Sequence, residues 1–130
     1  MFQLSQIKEA HAKVKSGADF PAYVQDLIQL GVSAYDTFVT DGHTVFTGSD
    51  NYTIASEQKY APLEIAANSD AAKFKQYLQM HQQGQTDYPA FCRHSAETGV
   101  EKWTVDMNAM TCTYYDQSGN KMLEEKIPLA

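Results

Sequence analysis

The chain has 130 residues, is 43% hydrophobic and 20% charged, and has a mean hydropathy of −0.45. That length fits one domain able to bury a core without disulfide or metal staples, and the composition excludes collagen-like, low-complexity and disordered chains. The net charge of −6 is unevenly placed: residues 1–17 set Lys8, Lys13 and Lys15 against Glu9, whereas residues 18–70 hold eight acids and only Lys59.

Arg93 is the sole arginine. Phosphate and base-edge recognition lean on arginine and on basic patches that release counterions, so no nucleic-acid partner is expected. The three early lysines read as a solvated helix face. Cys92 and Cys112 form neither a disulfide framework nor a metal-ligand spacing, and no run of about 18 apolar residues offers a membrane span. The start of the chain lacks the apolar stretch of a signal peptide. The expectation is a cytoplasmic protein with reduced thiols and no membrane contact, in which the Asn51-Tyr52-Thr53 sequon is coincidental.

In chain order, Leu4, Ile7, His11 and Val14 share one helical face, with Gly17 as the stop. Asp19 reads as the next N-cap; Phe20, Val24, Leu27 and Ile28 form its buried stripe, and Gly31-Val32 fits a left-handed C-cap. Residues 33–40 and 43–48 are β-prone and joined by Asp41-Gly42, which predicts a two-residue hairpin turn pairing Thr40 with His43 and Phe38 with Val45. One face then carries Tyr35, Val39 and Phe46, the other Asp36, Phe38, His43 and Val45. Tyr52-Thr53-Ile54 reads as a short third strand, followed by a loop to Pro62.

Ser69 is expected to cap a third helix bearing Phe74, Tyr77, Leu78 and His81, ended by Gly84. Thr86 and Asp87 open a fourth, where Pro89 is tolerated in the first turn and Phe91, Cys92 and Ser95 follow; Gly99-Val100 closes it. Strands near 101–107, 110–116 and 121–127 form a meander, Trp103, Val105 and Met107 alternating with polar residues. The predicted fold is a single α+β domain, with two helix pairs packed on an antiparallel sheet made from the hairpin and the three-stranded meander.

Taken together, several strings resemble a small enterobacterial and prophage family of unknown function whose members are often labelled "phage envelope protein". They are Leu30-Gly31-Val32 leading into Tyr35-x-Thr37, then Asp41-Gly42, and His81-Gln82-x-Gly84-x-Thr86-Asp87-Tyr88-x-x-Phe91-Cys92. Gly99-Val100-x-x-Trp103-x-Val105-Asp106, Cys112-x-Tyr114-x-Asp116 and Glu125-x-Ile127-Pro128 complete the set. The resemblance spans nearly the whole chain and implies an α+β domain from a prophage or related locus. It carries no catalytic residue across, and no transmembrane, signal or fibrous feature supports the envelope label.

No motif specifies a chemistry. Asp36 and His43, on one hairpin face, read either as an acid–base pair or as a solvated strand face near a turn. Cys92 reads as a nucleophile awaiting a histidine from elsewhere or as a small buried core residue. His81, Asp87, Cys92 and His94 lack the spacing of a zinc site, so neither metal nor cofactor is expected. Tyr52, Tyr60, Tyr88 and Tyr115 fall outside the buried stripes, which suits either a recognition surface or simple loop packing. The leading expectation is a non-enzymatic prophage accessory protein that binds a host or phage protein through these tyrosines and the acidic middle segment. The alternative is a small enzyme or ligand-binding domain with a pocket near Asp36, His43 and Cys92.

Overall fold

The computed structural model describes residues 2–14 and 19–127. Among them are four helices, α1 (Leu4–His11), α2 (Phe20–Leu30), α3 (Ala71–Gln82) and α4 (Tyr88–Glu97). The strands are β1 (Ala34–Phe38), β2 (Thr44–Thr47), β3 (Thr53–Ala55), β4 (Val100–Asp106), β5 (Thr111–Asp116) and β6 (Lys121–Lys126). They form one antiparallel sheet in the order β3-β2-β1-β4-β5-β6. Two meanders therefore meet along β1 and β4, with α3 and α4 in the connection between them. The fold is α+β.

Strand alternation assigns the two sheet faces. Tyr35, Val39, Phe46, Trp103, Val105, Cys112 and Tyr114 are buried and join Val24, Leu27, Phe74, Leu78, Phe91 and Cys92 from the helices in one core. Phe74 lies 4.8 Å from Tyr114 and Phe91 5.6 Å from Trp103, ring centre to ring centre, so α3 and α4 are seated directly on the second meander. The opposite face, with Asp36, Phe38, Val45, Lys102 and Thr104, is half-buried.

Local chemistry accounts for most element ends. Asp87 accepts a hydrogen bond from the Ala90 amide, and Pro89 sits in the first turn where no helical amide is needed. The third helix is capped by Asp70, which accepts from the Lys73 amide, and not by Ser69; the Asp70 amide is itself held by the Thr98 carbonyl, which fixes where the helix begins. Asp19 precedes α2, but its carboxylate does not cap it. The first helix closes at His11, short of the expected span to Gly17, which lies outside the described residues.

The hairpin differs from the predicted register. Tyr35 faces Phe46, Asp36 faces Val45 and Thr37 faces Thr44, two residues away from the expected pairing. Residues 39–42 form a four-residue loop in which the Gly42 amide donates to the Phe38 carbonyl, while the Phe38 amide donates to the His43 carbonyl. The Val39 amide donates to the Glu101 carbonyl on β4, and the His43 amide donates to the Asp41 carboxylate where a two-residue turn would have used the Thr40 carbonyl. A shift of two keeps every side chain on its face, so Asp36, Phe38, His43 and Val45 do share one.

Candidate binding cleft

The wider turn leaves backbone carbonyls free, and the irregular segment after β3 uses them. The amides of Lys59 and Tyr60 donate to the Asp41 carbonyl, and that of Leu63 to Thr40. The Tyr60 hydroxyl completes the attachment by donating to the Val39 carbonyl at 2.5 Å. Residues 59–63 are thus strapped across the hairpin end, with the Tyr60 ring packed over Gly42.

Facing this strap is the first half of α4. Tyr88, Pro89, Cys92 and Arg93 recur at the spacing that brings residues to one helical face, and with Lys59, Tyr60, Ala61 and Leu63 they line a cleft of about 390 Å³. Its walls are chiefly apolar: the Tyr60 and Tyr88 rings, Ala61, Leu63 and Pro89. Lys59 and Arg93 supply its cations, and neither has a carboxylate within 4 Å among the described residues.

Cys92 is only 1% exposed. Burial pushes its thiol pKa up, partly offset by the neighbouring Tyr60 and Tyr88 hydroxyls and by the Arg93 charge. Burial of the hydroxyls, followed by the nearby thiol, raises both tyrosines well above the usual phenol value. Tyr88 nonetheless leaves 45% of its surface exposed. The site holds a protonated thiol between two neutral phenols, which suits packing against a ligand and not nucleophilic attack.

The other expected site residues lie elsewhere. Asp36, on the half-buried sheet face, accepts from the Thr104 hydroxyl and sits 3.9 Å from the Lys102 ammonium. His43 on the same face pairs with Asp41, Nδ1 to carboxylate 2.5 Å, and stacks on Phe38 at 4.6 Å. Each is thus committed to its own neighbours, and Cys92 lies on the core side of the sheet. Tyr52 anchors the beginning of the chain, its hydroxyl donating to the Phe2 carbonyl. Tyr115 is on the half-buried face beside Lys102, 5.6 Å from its ammonium. The structure therefore brings together only Tyr60, Tyr88 and Cys92 from the expected set.

Lys59, Leu63 and Arg93 escape sequence reasoning. The signal available for Arg93 is its spacing of four from Pro89, beside the Tyr88-to-Cys92 spacing of four on the same helix; nothing local marks Lys59 or Leu63, which are positioned by tertiary hydrogen bonds. Among the described residues no group of three or more His, Cys, Asp and Glu side chains could hold a metal ion, and no helix is long and apolar enough to cross a membrane.

Fold and cleft define an α+β domain with an open, mainly apolar cleft rimmed by cations. Residues 8–126 match the family described as protein of unknown function (DUF1398), and the chain belongs to that family. Among curated proteins none matches the chain.

Proposed function

We propose that this chain is a non-enzymatic protein-binding module, a prophage-type accessory protein whose docking site for a host or phage protein is the cleft between residues 59–63 and α4. The observation that carries the reading is the exposed Tyr88 ring beside Arg93 over an apolar floor. Tyrosine and arginine are the residue types enriched where protein partners bind, because each offers a large contact area with a polar end. The neutral thiol supports binding over catalysis, since the groups acting on Cys92 are two phenols and an arginine, none of them a base that would deprotonate it.

Capture by immobilised protein from phage-induced enterobacterial cells tests this, with Tyr88→Ala and Ala61→Glu run in parallel. Both positions are exposed, so the fold tolerates the changes. A partner retained by the wild type and lost by both variants is the expected result. A partner held equally by all three refutes the cleft as the docking site, and recovery of none refutes the module.

A further inference from the structure

We infer that the cleft recognises an acidic peptide segment carrying an apolar side chain between its carboxylates. The inference rests on the docking role proposed above and names the chemistry of the partner. In a chain of net charge −6, the only arginine stands at this cleft together with Lys59, the only cation of residues 18–70. Neither has an ion-pair partner: no carboxylate lies within 4 Å of either among the described residues. Leu63, Pro89 and the two tyrosine side chains line the same cleft. Its volume of about 390 Å³ is at the small end of binding clefts, the size of one large side chain with its adjoining backbone. Two cations without ion-pair partners in a mainly apolar cleft complement an apolar residue with acids beside it, and they would repel a basic segment.

Three capped hexapeptides, added to uniformly ¹⁵N-labelled protein and followed by amide chemical shifts, test the inference. The first has a central phenylalanine between two aspartates, the second replaces the aspartates with lysines, and the third replaces the phenylalanine with glycine. The first peptide is expected to shift the amides of Tyr60, Leu63, Cys92 and Arg93 and to bind about ten-fold more tightly than either control. Arg93→Gln is expected to weaken it about three- to five-fold, the scale of one exposed ion pair, and 0.5 M salt to weaken it further.

Equal binding of the first two peptides in the cleft, or indifference to Arg93→Gln, overturns the acidic specificity while leaving the docking role standing. Cleft amides untouched by all three peptides, or shifts confined to another surface, overturn the inference; the capture experiment then decides separately whether the docking role survives. Shifts of the cleft amides on simple dilution of the protein would make a second copy the occupant and overturn it as well.

Discussion

Gly42 ties the hairpin turn to the cleft, and replacing it by alanine tests that link. Its φ is +77°, and a Cβ there would lie 2.7 Å from Tyr60 Cε2, 3.1 Å from Tyr60 Cζ and 3.0 Å from Lys59 Cβ. Two costs follow. A left-handed conformation costs an L-residue about 1–2 kcal/mol. The collision must in addition displace the Tyr60 ring, a core-type overpacking worth about 1–3 kcal/mol that includes strain on the hydroxyl contact to Val39. The total is about 2–5 kcal/mol. Gly84 is the matched control: its φ is +79° and a Cβ added there would meet nothing within 4 Å, so Gly84→Ala incurs only the backbone cost. With a urea slope of about 2 kcal/mol/M, within the usual range for small domains, the midpoint of Gly84→Ala falls by about 0.5–1 M and that of Gly42→Ala by about 1–2.5 M. In a Tyr60→Ala background the ring is gone and only the Lys59 Cβ contact remains, so Gly42→Ala should then cost markedly less, close to what Gly84→Ala does plus that one contact. Midpoints of Gly42→Ala and Gly84→Ala that agree within about 0.5 M, or no change of the Gly42 effect in the Tyr60→Ala background, would refute the packing of the strap on the turn.

Cys92 and Cys112 are both buried with raised thiol pKa values, Cys112 up to about 12, so a disulfide reagent at about pH 8 should modify neither within minutes in the native protein and both in urea; rapid loss of the native Cys92 thiol would contradict the closed floor of the cleft. Hydrogen bonds from His43 hold the Asp41 carboxyl below its usual range. Its stabilising contribution is therefore complete above about pH 4 and lost as pH falls through the lowered value, and Asp41→Asn should flatten the acid limb of a urea-midpoint profile. Burial pushes Tyr23 up to about 12; that contribution is complete below the unfolded value near 10 and lost as pH rises toward about 12, so Tyr23→Phe should flatten the alkaline limb. Asp70→Ala and Asp87→Ala each remove a helix cap and should cost about 1 kcal/mol, read as a fall of a few degrees in Tm, with Asp87→Asn close to wild type.

Most of the fold is legible in the sequence because its elements obey local rules. The alternation of Trp103, Val105 and Met107 marks a half-buried strand, the Asp87-x-Pro89 start marks a helix, and left-handed glycines at Gly31 and Gly99 stand where they are expected. The failures are of another kind. Asp41-Gly42 is a strong two-residue turn signal, yet the Thr40 carbonyl accepts from Leu63, far away in sequence, and the His43 amide that would have closed the tight turn donates to the Asp41 carboxylate. Ser69 and Asp70 are both good caps; the Thr98 carbonyl, held near them by Gly99, decides between them.

The same cause explains why the site is only partly legible. Tyr60, Tyr88 and Cys92 can be singled out by residue type, but their convergence depends on the strap, and the strap depends on the carbonyls of Val39 and Asp41 and on that of Thr40, which a tight two-residue turn would have spent on the His43 amide. The register error and the missed residues Lys59 and Leu63 are therefore one error. A turn two residues wider than its sequence favours frees the Thr40 carbonyl that seats Leu63, and seating residues 59–63 opposite α4 is what makes a cleft there at all. By the same reasoning Asp36 and His43 keep the expected face without acting together. The widened loop brings Asp41 under His43, and Asp36 is left to Thr104 and Lys102 on β4.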